Sequence, residues 1–359
     1  MAKVMVGMSG GVDSSVAAKL LLDEGYEVMG VTLKLFDGED VDEGVRTCCS
    51  LSDVEDARSV AYKLGFEHLV FNFKDDFRQH VMNQFVDSYL SGETPNPCIE
   101  CNKHIKFDKM LRRAEELGFD YIATGHYAER KFDEKTGKYY LVRPADRSKD
   151  QTYVLYGLTQ YQLSKTLFPL GGYDKTKVRK IAEDAGLVNS RKPDSQDICF
   201  VPDGDYAGYL EREEGLKAVP GNFVDMNGKV LGTHKGIIHY TIGQRKGLGL
   251  AMGHPVFVVD IIPETNEVVI GENADTFSKE LIADKTNFMS VERPEDGMQV
   301  IGKIRYAHKG APCRIYMLDA DRVRVVFDEP VRAATKGQAV VFYEDDHIVG
   351  GGTIKEIIR

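Results

Sequence analysis

Short apolar runs alternate with stretches of helical spacing through the first two hundred residues. Val4–Met8 has the character of a short buried strand; the turn Ser9-Gly10-Gly11 follows, and apolar positions then recur at helical spacing to about Leu22. Tyr26–Leu33 is strand-like. Asp53–Leu64 predicts a helix with Ser52 as its N-cap and Gly65 as its stop. His68–Phe73 returns to strand character, another helix precedes Gly92, and a further one is expected over roughly 106–117, before the strand-like Asp120–Thr124. This order predicts a mostly parallel sheet with helices on its faces. Ligands of such sheets gather at the carboxyl ends of strands, where both Ser9 and Gly125 fall.

The pattern changes after about residue 200. Gly221–Gly253 is glycine-rich and strand-biased, Val256–Ile262 is apolar, and Cys313–Met317, Arg322–Phe327 and Gln338–Phe342 are short β-like runs. The expected class is therefore α/β: a parallel-sheet domain over 1–205, then two small β-rich domains over 206–283 and 284–359. A chain of 359 residues is long enough for two or three cores.

Charge narrows the partners. A formal net charge of -10 argues against tight, non-specific binding along a nucleic-acid backbone. It leaves room for a shape-specific RNA, and residues 301–359, with ten Lys or Arg against eight Asp or Glu, depart from the acidic average. No stretch approaches twenty apolar residues, so no membrane span and a cytoplasmic location are expected. Six cysteines are too few for a disulfide framework in a chain of this size and suit a reducing compartment with a few working thiols.

Two constellations carry chemistry. Ser9-Gly10-Gly11-Val12-Asp13-Ser14-Ser15 joins a strand to a helix. Its glycines let backbone amides approach an anion, its serines add hydroxyl donors, and the helix start adds favourable electrostatics. Asp13 would repel bare phosphate, which suggests that it contacts Mg²⁺ or orders the loop. The Gly-Lys-Ser/Thr ending of a Walker A loop is absent. Spacing alone also allows a plain glycine turn feeding a capped helix. The second constellation is Asn96-Pro97-Cys98-Ile99-Glu100-Cys101-Asn102, whose Cys-x-x-Cys spacing suits redox chemistry, metal binding or sulfur transfer. Cys199 ends a polar, proline-containing approach, Lys192 to Ile198, that could bring one thiol near another. Cys313, in a β-like run, reads as structural; Cys48 and Cys49 are unassigned. Leu33 could border an adenine or serve as an ordinary core residue, and a lone His126 is more often structural than catalytic.

In order, these segments resemble the bacterial-type tRNA-specific 2-thiouridylases, members of the ATP-pyrophosphatase-loop superfamily. The resemblance rests on Gly7 to Ser15, Asn96 to Asn102, Ala123-Thr124-Gly125-His126-Tyr127, Lys149-Asp150-Gln151, Asp197-Ile198-Cys199-Phe200 and Thr241-Ile242-Gly243-Gln244-Arg245. It runs on to Gly350-Gly351-Gly352-Thr353. It implies a first domain of the adenine nucleotide alpha hydrolase type and a C-terminal, barrel-like domain that contacts tRNA. ATP contacts are implied for Gly7, Met8, Ser9, Gly10, Gly11, Val12, Asp13, Ser14, Leu33 and Gly125. The target base is expected at Asn96, Pro97 and Cys98, and tRNA at His126, Lys149, Asp150, Gln151, Arg305, Tyr306 and Gln338. The resemblance further implies a nucleophilic Cys101, a persulfide on Cys199, and a disulfide between them after turnover.

The implied reaction adenylates C2 of the wobble uridine in tRNA(Lys), tRNA(Glu) and tRNA(Gln), with ATP and Mg²⁺, then replaces the oxygen with sulfur. A cysteine desulfurase or sulfur-relay protein is the expected donor. Some relatives carry Asp where this chain has Cys98, which opens an alternative: a 4Fe–4S cluster on Cys98, Cys101 and Cys199. Two other classes compete, namely an argininosuccinate synthase- or GMP synthetase-like enzyme without a thiol relay, and a non-catalytic tRNA-binding protein.

Overall fold

The computed structural model describes residues 1–36, 51–194, 198–212 and 214–359. They form two compact units. The first comprises Met1–Met82, Cys98–Gly204 and Asp346–Ile348; the second comprises Asn83–Pro97, Asp205–Asp345 and Val349–Arg359.

In the first unit the chain lays down β1 (Lys3–Gly7), β2 (Glu27–Lys34), β3 (His68–Asn72) and β4 (Tyr121–Ala123), then a hairpin of β5 (Glu129–Asp133) and β6 (Lys138–Val142), and the short β7 (Thr166–Leu167). The main sheet has the order β3-β2-β1-β4-β7, with every pairing parallel. Successive strands run outward from β1 to β3, and the chain then returns to the other side of β1. The order therefore reverses between β1 and β4, and a crevice at the carboxyl ends of those strands is the favoured ligand position.

The centre of this sheet is dry: Val4, Met5 and Val6 are fully buried. Helix α1 (Val12–Asp23) covers it with Val16, Ala17 and Leu21, joined by Val178, Ala182 and Leu187 from the stretch beyond β7. Each fully buried Val or Leu contributes about 1.5–3 kcal/mol, so the sheet centre is the rigid base of whatever the β1–α1 loop holds. Helix α2 (Leu51–Leu64) contains Ser52 within its first turn, so Ser52 is a helical residue and not the N-cap expected. Gly65 does end it, at a φ of 82° that suits a residue without Cβ.

The helix expected over 106–117 starts earlier and is wound differently. A four-residue helix, Pro97–Glu100, leads into a π-helical stretch, Cys101–Lys109, and then an α-helix, Met110–Glu116. Ile105, Phe107 and Met110 are its fully buried residues. No proline or glycine in Cys101–Lys109 signals the wider winding, and π-helical turns recur at functional sites.

The second unit holds two β assemblies. The first has β8 (Gly221–Asp225), β9 (Val230–His234), β10 (Phe257–Ile262) and β11 (Glu267–Gly271) in the order β10-β11-β8-β9. The second has β12 (Phe277–Phe288), β13 (Met298–Lys303), β14 (Ala311–Met317), β15 (Val323–Arg332), β16 (Ala339–Glu344) and β17 (His347–Ile358). They run β12-β15-β14-β13-β16-β17, and pairing of β17 back onto β12 closes a barrel with no open edge. Its interior is filled by Leu281, Ile315, Val325, Phe327, Phe342 and their neighbours. The Asn83–Pro97 segment packs within this unit: Phe85 meets Tyr206 and Tyr209 edge-on, and the Gln338 side-chain amide donates to Thr94 O at 2.8 Å.

Candidate active site

The glycine loop leaves β1 and is tied down at each step. Met8 is buried and its N–H donates to Val31 O at 2.7 Å. The buried Thr32 hydroxyl donates to Met8 O at 2.8 Å and meets His68 Nε2 at 2.9 Å. Because the Thr32 proton is committed to Met8, His68 must donate from Nε2. Burial, aided by the positive charge of Arg58, lowers the His68 pKa to about 4, so the ring is neutral at physiological pH. Gly10 has a φ of 71°, and a Cβ there would lie 2.4 Å from Asp53 O; only glycine fits. The Ser14 hydroxyl accepts from Ser9 N–H and donates to Gly11 O, both at 3.2 Å. The amides of the first turn of α1 have no intrahelical partner, which makes the loop an anion-binding position.

Asp13 has an unexpected partner. Lys175 Nζ lies 2.7 Å from both of its carboxylate oxygens, and the Tyr127 hydroxyl donates to Oδ1 at 2.8 Å. Burial and the Asp13 charge hold the Tyr127 phenol well above its ordinary range, so it stays protonated as a donor. Lys175 also reaches Asp194 at 2.8 Å, and Asp194 takes Lys149 at 2.8 Å and Arg179 at 2.9 Å. Burial opposes ionisation of Asp194, but hydrogen bonds from Lys149 and Lys175 prevail and keep its pKa lowered. Nearby, Lys192 bridges Asp53 and Asp56, each at 2.6 Å.

These contacts decide how a metal fits. Both Asp13 oxygens are engaged by an ammonium, and no group of three His, Cys, Asp or Glu side chains suited to a metal gathers among the described residues. The loop therefore has no protein cage for a resident ion, and Mg²⁺ fits as the counter-ion carried by ATP, that is, as part of the substrate. The same finding bears on the cluster alternative. Cys98 is exposed, Cys101 is buried and Cys199 is partly exposed, and among the described residues they form no group of three suited to a metal.

Gly125 is where close approach is needed, but to the loop itself: a Cβ would lie 2.7 Å from Ser14 N. Leu33 is half-buried near the carboxyl end of β2. His126 is a core residue, as a lone histidine usually is. It is 8% exposed, its Nδ1 meets Thr124 Oγ1 at 2.8 Å, and it packs against Phe107 and Phe168. Burial, with the charge of Lys106, pulls its pKa well down, so it is a neutral core residue beneath the site.

The two thiol segments converge on one aromatic cluster. Phe200, next to Cys199, meets Phe77 edge-on with ring centroids 5.7 Å apart. Phe77 ends the helix Lys74–Phe77, which packs against the π-helix that Cys101 opens; Asp76 binds Lys109 at 2.6 Å, and His80 stacks on His104 at 5.0 Å. Asn102, beside Cys101, is buried and donates to Val154 O at 2.9 Å. Asn96 and Pro97 lead into the short helix that presents Cys98. Cys48 and Cys49 lie outside the described residues.

The expected tRNA contacts are mixed. Asp150 Oδ1 accepts from Thr152 N–H at 3.0 Å, and Gln151 Oε1 accepts from Tyr127 N–H at 2.8 Å, so both also stitch the first unit together. In the second unit, Arg305 donates to Arg332 O at 3.0 Å, Tyr306 is 45% exposed, and Gln338 holds Thr94, just before Asn96. Lys175 and Asn189 carry no sequence signal beyond Asp174, the side-chain cap of the helix that Lys175 begins, and Tyr127 and Asp194 enter the sequence reading only as members of longer segments.

The fold and loop define a nucleotide-binding enzyme of the HUP type with two appended β domains. Family models agree: one described as "tRNA methyl transferase HUP domain" matches residues 2–203, a "PRC-barrel domain" model matches 209–272, and an "Aminomethyltransferase beta-barrel domain" model matches 278–354. Full-length relatives decide the chemistry. The chain is 54% identical over 354 residues to tRNA-specific 2-thiouridylase MnmA of Clostridioides difficile, covering 99% of this chain and 98% of that protein. It is 56% identical over 357 residues to the protein of the same name from Lachnoclostridium phytofermentans, covering 99% of each. The chain belongs to the tRNA-specific 2-thiouridylase family and is a sulfurtransferase.

Proposed function

We propose that this enzyme thiolates C2 of the wobble uridine in tRNA(Lys), tRNA(Glu) and tRNA(Gln), using ATP, Mg²⁺ and a persulfide relayed through Cys199 and Cys101. The uridine O2 attacks the ATP α-phosphorus, and the bond to pyrophosphate breaks. The helix-start amides of Gly11–Asp13 and the Ser9 hydroxyl stabilise the departing charge, while the Ser14 hydroxyl holds the loop by its bonds to Ser9 N–H and Gly11 O. AMP on O2 is then the leaving group. The terminal sulfur of a Cys199 persulfide attacks C2, and AMP departs with the oxygen. The Cys101 thiolate attacks Cys199 Sγ, leaving the transferred sulfur on C2 and a Cys101–Cys199 disulfide. A reductant supplies two electrons to restore both thiols. A cysteine desulfurase or sulfur-relay protein reloads Cys199 in the cytoplasm.

One observation carries this reading: the phosphate-type loop, Cys101 and Cys199 all belong to the first unit, with Phe200 and the Cys101 helix packed around Phe77. The target base must leave the anticodon stack to reach them. The test is AMP and pyrophosphate release with each tRNA in turn. Release that requires a uridine at the wobble position supports the proposal; release that proceeds equally without tRNA refutes it.

A further inference from the structure

The stretch between the helix Lys175–Asp184 and Cys199 runs back over the glycine loop, and it buries a polar residue there. Asn189 is 3% exposed. Its Nδ2 donates to Gly10 O at 2.9 Å and to Ser15 Oγ at 2.9 Å, across 179 and 174 positions of sequence. Ser15 Oγ in turn donates to Gly11 O at 3.0 Å. Both glycine carbonyls, the groups that would repel a phosphate, are thus committed to internal donors. The amide cannot be turned over, because its oxygen would then face the Gly10 carbonyl. That oxygen has no partner among the described residues, so the fold carries a buried, unsatisfied acceptor to keep the two donations.

We propose that Asn189 is a positioning residue for ATP: it fixes the Gly10 and Gly11 peptide planes so that the loop offers N–H groups, and no carbonyls, to the phosphates. This rests on the loop being the ATP site. Three residues on, Lys192 clasps Asp53, whose backbone is the surface against which Gly10 is pressed, and Asp194 holds Lys175 onto Asp13. The loop is therefore set from outside by the same stretch of chain that continues to Cys199.

Without Asn189, a buried carbonyl loses its donor and the Gly10 peptide is free to rotate. The expected loss is about tenfold in ATP affinity, the scale for one orphaned buried partner. The experiment measures Mg-ATP affinity by titration calorimetry and tRNA(Glu) affinity by filter binding, on the full chain, for wild type, Asn189→Ala, Ser15→Ala and the double variant. Asn189→Ala should raise the ATP Kd and KM about tenfold, with kcat and the tRNA Kd within about threefold of wild type. A merely structural role would weaken both ligands together. The double variant should lose less than the product of the single losses, because both substitutions break one chain of hydrogen bonds. If Asn189→Ala does not fold, Ser15→Ala alone decides, by the same split between ATP and tRNA. ATP affinity unchanged in whichever variant decides, or fully multiplicative losses, overturns the proposal. Failure of the wild type to bind ATP would instead overturn the reading of the loop.

Discussion

Cys101 and Cys313 are both buried thiols, 6% and 2% exposed, yet their surroundings have little in common. Cys313 sits on β14 inside the C-terminal barrel, paired in register with Val300 on one side and Phe327 on the other. Burial in that apolar interior pushes its pKa up to about 12, so at neutral pH it is a packing residue. Cys101 opens a π-helix of mixed character: Asn102 lies beside it and the His104–Glu100 pair closes at 3.2 Å, while Ile105 and Phe107 are fully buried. Similar burial therefore does not make the two thiols equivalent.

The widest separation between the two regions should appear in turnover. Cys101→Ser and Cys199→Ser are each expected to lower 2-thiouridine formation by about 10³-fold or more, the scale for removing a nucleophile. Cys313→Ser should stay within about threefold of wild type but lose about 1–3 kcal/mol of stability in urea unfolding, from burying a hydroxyl among apolar groups. Loss of turnover in Cys313→Ser, or its survival in Cys101→Ser, would break the contrast. Gly10→Ala comes next. The positive φ and the clash with Asp53 should weaken ATP binding about 100-fold by calorimetry.

How far the sequence reached follows the same division between local and distant causes. The β1 strand, the Ser9–Ser14 turn and the helix after it were legible, because glycine conformation, apolar runs and helix starts are properties of neighbouring residues. The closed barrel was legible only as a series of β-like runs, since closure depends on β12 meeting β17 across about seventy positions. The clasp of Lys175 on Asp13 and the Asn189 donations were invisible, because their partners lie more than 150 positions apart. The π-helix was missed because no proline or glycine marks it. For His126 the sequence left a structural role and a tRNA contact both open, because the cover given by Phe107 and Phe168 is a tertiary feature.

Smaller effects sharpen the picture. The folded-state pKa of His68, about 4, lies below its unfolded value near 6.5. As pH falls, the unfolded chain therefore takes up the proton first. The stabilising effect of the neutral ring is complete above about pH 6.5 and is lost progressively toward pH 4. Urea unfolding from pH 7 to 4.5 should show a shallower decline for His68→Gln than for wild type; parallel curves would remove His68 as a cause. The smallest change is expected in the second unit. Arg305→Ala should weaken tRNA binding a few-fold and reduce its salt slope by about one, with ATP affinity unaltered. Unchanged binding in filter titrations across salt would remove Arg305 from the tRNA contacts.

On the proposed mechanism, one unit activates a uridine with ATP and hands it sulfur from Cys199. The most direct measurement incubates the purified chain with ATP, Mg²⁺, a labelled persulfide donor and defined tRNAs, then identifies digested nucleosides by mass spectrometry. Label in 2-thiouridine at the wobble position, one AMP formed per sulfur transferred, and none of either with Cys199→Ser is the predicted result. AMP formed without thiolation, or label found in another nucleoside, would contradict it.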